Sequence, residues 1–83
     1  MCLQERAGVY LCQSPATTLR LEKDGGGAMM MNGNPRPGHW KLISDQVIEF
    51  KPDTAGASRF AVRSDGSLEE MKYGYKFEKL PSR

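Results

Sequence analysis

Short runs in which apolar and polar residues alternate, cut by turn residues every few positions, extend along almost the whole chain. Val9-Tyr10-Leu11-Cys12 is a short strand candidate, and Thr17-Thr18-Leu19-Arg20-Leu21-Glu22 alternates with period two, the mark of a half-buried strand. Gln13-Ser14-Pro15-Ala16 reads as the loop between them. Asp24-Gly25-Gly26-Gly27 tolerates positive φ and turns the chain, and Ala28 to Met31 returns. A loop of Asp24 to Gly26 sets Met29 opposite Leu21 and Met31 opposite Leu19, both in the core. A two-residue loop puts Met30 in the core instead. Asn32-Gly33-Asn34-Pro35-Arg36-Pro37-Gly38 is expected to be an irregular loop, because proline removes a ladder donor.

Two hairpins can be put in register. His39-Trp40-Lys41-Leu42-Ile43 and Val47-Ile48-Glu49-Phe50 flank Ser44-Asp45-Gln46. A two-residue loop would face Trp40 with Glu49. The three-residue register sets Trp40 opposite Phe50, Leu42 opposite Ile48, and Lys41 opposite Glu49 on the other face. Directly opposed residues share a face, so this register is preferred. Arg59-Phe60-Ala61-Val62-Arg63 and Ser67-Leu68-Glu69 flank Ser64-Asp65-Gly66. With Gly66 left-handed, Val62 pairs with Leu68 and Ala61 with Glu69, while Arg59 and Arg63 face water.

Tyr73-Gly74-Tyr75-Lys76-Phe77-Glu78-Lys79-Leu80 reads as a closing strand with Tyr73, Tyr75 and Phe77 on one face. Residues 67–73 leave two readings open, strand or helical turn, since Ser67 and Glu70 have capping-box spacing and Gly74 is a stop. No segment has a long 3.6-residue period. The fold expected is all-β: an antiparallel meander of seven to eight short strands forming a small barrel or half-barrel. The expected core is Leu19, Leu21, Trp40, Leu42, Ile48, Phe50, Phe60, Val62, Leu68, Tyr75 and Phe77.

Length adds a constraint. At 83 residues and 9.3 kDa the chain is read as one domain, with flexible ends at 1–6 and 81–83, and a thin core. Twelve basic against ten acidic residues give +2, too balanced to argue for nucleic acid or an anionic membrane. No apolar run approaches the roughly 18 residues of a membrane span. The opening Met1-Cys2-Leu3-Gln4-Glu5-Arg6 lacks a basic stretch followed by an apolar one. The protein is therefore expected in the cytoplasm if Met1 is the natural start, or in the cell envelope if a leader was removed before Cys2. In the envelope Cys2 would be lipidated, or paired with Cys12 in a disulfide; in the cytosol both stay thiols. Cys12 reads first as a small buried hydrophobe.

Gly8-Val9-Tyr10-Leu11-Cys12, Thr17-Thr18-Leu19-Arg20-Leu21 and Asp24-Gly25-Gly26, followed by Gly38-His39-Trp40-Lys41-Leu42 and Asp45-Gln46-Val47-Ile48, resemble the barrel domain of bacterial copper-response envelope lipoproteins. The resemblance covers roughly the first 50 residues. It implies a lipocalin-like small β-barrel, an envelope location, and ligand or signalling roles. The family's loop carries two cysteines two residues apart, whereas Gln13, Ser14 and Pro15 follow Cys12 here.

Candidate chemistry is sparse. Cys2, Cys12, Met29, Met30, Met31 and His39 are soft ligands of the kind that suit Cu(I); strand alternation separates Met30 from Met29 and Met31. Cys12, His39 and Met30 are the metal candidates. The lone His39 has no carboxylate placed by sequence to orient it. Glu69 and Glu70 would point to opposite faces, so they are not a glycosidase pair. The glycine run lacks the helix and Lys-Ser/Thr of a P-loop. No catalytic residue and no cofactor is assigned. The function expected is a non-catalytic binding or interaction domain for a small apolar or protein ligand, with Trp40, Tyr73, Tyr75 and His39 as groove candidates. Copper handling is one alternative. A small enzyme whose site is completed by a partner subunit is another. An exposed strand edge could support a homodimer.

Overall fold

The computed structural model describes residues 6–13 and 16–81. Eight strands follow in order: β1 (Gly8–Gln13), β2 (Ala16–Leu21), β3 (Gly26–Met31), β4 (Asn34–Ser44), β5 (Val47–Pro52), β6 (Ser58–Val62), β7 (Leu68–Glu70) and β8 (Lys76–Lys79). Each pairs antiparallel with the next, and β8 pairs with β1, so the meander closes into a barrel rather than a half-barrel. The described residues include no helix, and none long and apolar enough to cross a membrane. Cys2 lies outside the described residues. Cys12 is a free, buried thiol.

A barrel of about eight strands has an interior that side chains just fill. Here the filling is Tyr10, Cys12, Leu19, Leu21, Trp40, Ile48, Phe50, Phe60, Leu68 and Phe77, with Ala7, Met29, Leu42 and Val62 packed against it. Phe60 and Phe77 meet edge to face at 5.4 Å, the geometry ring quadrupoles favour. Tyr10, which lies outside the core expected from sequence, belongs to it and shares its face with Cys12.

The two central hairpins pair as their apolar patterns dictate. Trp40 lies opposite Phe50, Leu42 opposite Ile48 and Lys41 opposite Glu49. A bulge between Leu42 and Ser44 lets Ser44 pair with Val47, which shortens the turn to Asp45-Gln46. Val62 faces Leu68 and Ala61 faces Glu69, with Gly66 left-handed at φ 88°.

Three expectations are corrected. The first hairpin takes neither register: Leu21 faces Gly27 and Leu19 faces Met29. Its turn is Lys23-Asp24-Gly25, one residue earlier, because Gly25 supplies the left-handed φ of 97° and Asp24 Oδ1 accepts the Gly26 N–H at 2.9 Å. Met29 packs on the core, and Met30 and Met31 are exposed.

The segment 34–38 is strand, not loop, despite Pro35 and Pro37. Backbone polar groups alternate along β4. Trp40 N–H donates to the Gly25 carbonyl, toward β3, and the Pro37 carbonyl accepts from Asp53 N–H, toward β5. Both prolines therefore turn their missing N–H to the β5 side, and β5 reaches only to Pro52, opposite Gly38. Position 37 forgoes only the return bond at the very end of this pairing, and the stretch of β4 beyond β5 presents prolines where another strand would have to add.

The closing strand starts at Lys76, so Tyr75 is not core but 39% exposed. Gly74 adopts φ 81° and its N–H donates to the Glu70 carbonyl. That single turn, 71–73, interrupts the alternation before Tyr75 and follows a true strand at Leu68–Glu70.

Candidate functional site

The antiparallel meander gives the barrel two ends. The start of β1, the end of β8 and the turns β2–β3, β4–β5 and β6–β7 form one, here the N-terminal end. The β3–β4 turn, the β5–β6 connection and the β7–β8 turn form the far end.

Trp40 turns its ring into the core, while its strand position, with His39, Lys41, Glu49 and Lys51, borders a surface cavity of about 210 Å³. The ring is 4% exposed, faces Phe50 inside the barrel, and donates its indole N–H to the Glu22 carbonyl at 2.8 Å. Two glycines allow close approach of the neighbouring strands on this side of the barrel. Gly27 and Gly38 are direct partners on β3 and β4, and a Cβ on Gly27 would sit 3.4 Å from Phe50 Cε1 and against the Arg20 carbonyl.

His39 is one position on from Gly38 and points outward. Its Nδ1 is 3.7 Å from Asp53 Oδ1, beyond hydrogen-bond distance. Asp53 arrives from the β5–β6 connection, a neighbour that linear spacing did not reveal. Cys12 faces the interior, whereas Met30 and His39 face solvent. The barrel wall therefore separates Cys12 from the other two. Among the described residues no three His, Cys, Asp or Glu side chains gather as a metal site.

Tyr73 and Tyr75 are brought together. Their ring centroids lie 5.6 Å apart at 33°, and the Lys72 ammonium stands 5.2 Å from the Tyr73 centroid. Tyr73 is 66% exposed and Met71 56%. Between Met71–Tyr73 and residues 56–58, at the end of the β5–β6 connection and the start of β6, is a concave surface of about 500 Å³, with Arg59 and Glu70 completing its lining.

The residue that builds this corner is Glu70, which the sequence offers as half of an acidic pair and as the acidic end of a capping box with Ser67. It is 9% exposed. Its carboxylate accepts the N–H of Lys72 at 3.0 Å and of Tyr73 at 2.6 Å. The Glu70 backbone accepts from Gly74 and donates to the Tyr75 carbonyl. A carboxylate on backbone N–H groups makes stronger bonds than a neutral acceptor would, so the aromatic corner sits on a fixed turn. The sequence signal that could have found it is Glu70 four residues before a glycine.

Elsewhere the outer face pairs its own charges. Glu49 lies 3.8 Å from Lys41 and 3.1 Å from Arg59, Arg63 contacts Glu69, and Lys76 is 4.0 Å from Asp65. The Ser67 hydroxyl and backbone N–H both donate to Asp65, which holds that carboxyl below its usual value. Such exposed pairs stabilise little.

Comparison of the chain with protein-family models, with curated proteins and with solved structures finds no match.

Proposed function

We propose that this chain is a non-catalytic binding domain that engages a peptide segment of a partner protein at the far end of the barrel, through Tyr73, Tyr75 and Met71. One observation carries the reading. The interior is filled by its own side chains, while Met71 and Tyr73 on the 71–73 turn and Tyr75 just after it are large and exposed, Met71 and Tyr73 lining one concave surface and the two tyrosine rings in contact. Aromatic and methionine side chains are enriched at protein interfaces, and two rings on a fixed turn lose little freedom on binding. Lys72 contacts the Tyr73 ring but has no carboxylate partner among the described residues. The ligand that fits is an extended segment with an apolar anchor and a neighbouring acidic residue. The resemblance to envelope lipoprotein barrels, with its ligand or signalling roles, is proposed in the same sense.

The test is selection of displayed peptides against the intact chain, followed by binding to a Tyr73→Ser/Tyr75→Ser variant. The exposed rings contribute little to folding, so its melting temperature should match the parent. Selected peptides should bind it at least about tenfold more weakly, the loss of one interface anchor. Equal binding by both proteins would overturn the proposal.

A further inference from the structure

The opposite end of the barrel carries a second site. The segment 6–7 crosses the N-terminal end: Ala7 packs on the core, and the Tyr10 hydroxyl donates to the Arg6 carbonyl at 2.7 Å. That bond lays the Arg6 side chain against two hairpin turns that the chain order leaves far apart. Arg6, Gln46, Val62, Arg63, Ser64 and Gly66 line a pocket of about 420 Å³.

The chemistry of this pocket is unbalanced. Arg6 Nε is shielded from solvent and has no hydrogen-bond partner, and among the described residues no carboxylate pairs with the guanidinium. A buried donor left unpaired costs free energy that a ligand acceptor would recover. Arg63 is already neutralised by Glu69. The Gln46 amide and Ser64 hydroxyl add neutral donors beside it. One uncompensated guanidinium with neutral donors matches a single negative charge held on two coplanar oxygens.

We propose that this pocket binds a carboxylate, with Arg6 as its anchor. The neighbouring acidic groups set the charge of the ligand. Glu69 on Arg63, and Asp65 between Ser64 and Gly66, would repel a phosphate dianion more than a monoanion. The pocket volume admits a small organic acid or the C-terminal residue of a peptide. The site is independent of the aromatic corner, which lies at the other end of the barrel.

The experiment is a titration of the ¹⁵N-labelled full chain with sodium acetate at pH 7, with sodium phosphate and sodium chloride at matched ionic strength as comparison arms. Acetate should give saturable shifts confined to residues 6–7, the Gln46 side chain and 62–66. Arg6→Gln should weaken acetate binding about tenfold or more, the worth of a charge-assisted bond, and leave peptide binding at Tyr73 and Tyr75 unchanged. Arg6→Lys, which keeps the charge and loses the fork, should fall between. The Tyr10 bond goes to the Arg6 backbone, so both variants keep that tie. Shifts spread over surface lysines, no saturation, or an Arg6→Gln variant that binds like the parent would overturn the site. Phosphate saturating below acetate would overturn the carboxylate assignment.

Discussion

Trp40→Ala tests the core most severely. The ring is 4% exposed, lies opposite Phe50, and holds one hydrogen bond to the β2–β3 turn through the Glu22 carbonyl. Removing a buried tryptophan costs about 3–5 kcal/mol, and the lost hydrogen bond adds about 1 kcal/mol. A domain of this length has a total stability of roughly 4–12 kcal/mol. The variant should therefore be largely unfolded or melt about 16–48 °C lower, at about 4–8 °C for each kcal/mol in a domain this small. Trp40→Phe keeps an aromatic ring and loses the hydrogen bond and part of the volume, and should cost about 1–2 kcal/mol. Trp40 is the one tryptophan in the sequence, so the variants must be followed by far-ultraviolet circular dichroism in urea rather than by indole fluorescence. A Trp40→Ala protein that stays within about 1 kcal/mol of the parent would refute the packing argument.

Gly38→Ala should be disproportionately harmful for so small a change. Its Cβ would lie 2.7 Å from Pro52 Cα and against the Lys51 carbonyl, both backbone, and overpacking costs about 1–3 kcal/mol. Gly56→Ala, with open space around it, should stay within about 0.5 kcal/mol by the same urea assay. Burial pushes the Tyr10 phenol above its ordinary value, and nearby Arg6 partly opposes this. The folded state therefore holds the phenolic proton more tightly than the unfolded chain does. This contribution is fully present below the unfolded pKa of about 10 and is lost as pH rises through the higher folded value. Melting temperatures should fall above about pH 10, and Tyr10→Phe should flatten that fall; an equally steep fall in the variant would contradict the assignment.

The legible parts of the fold were those fixed by neighbouring residues. Ser64-Asp65-Gly66 dictates its own turn, and the match of Trp40 with Phe50 and Lys41 with Glu49 selects one register of β4 on β5. Pro35 and Pro37 read as breakers because sequence does not show which side of a strand its backbone groups face, or where the neighbouring strand ends. Tyr75 read as core because alternation was carried through Gly74, whose positive φ and whose bond to Glu70 interrupt it. Of the candidate site residues, Tyr73 and Tyr75 do meet, but as an exposed corner rather than an inward-facing groove. Trp40 reads as both core and groove; its ring is core, and its strand position borders a surface cavity beside His39. The Arg6 pocket was illegible, since it joins the N-terminal segment to turns about forty and sixty residues away.

Chemical-shift mapping of a selected peptide on the ¹⁵N-labelled chain separates binding at the aromatic corner from entry into the barrel. Saturable shifts are expected at 56–59 and 70–75, with the interior positions around Phe50, Phe60 and Leu19 unmoved. Perturbation of those interior residues, as from a ligand entering the barrel, would contradict binding at the corner.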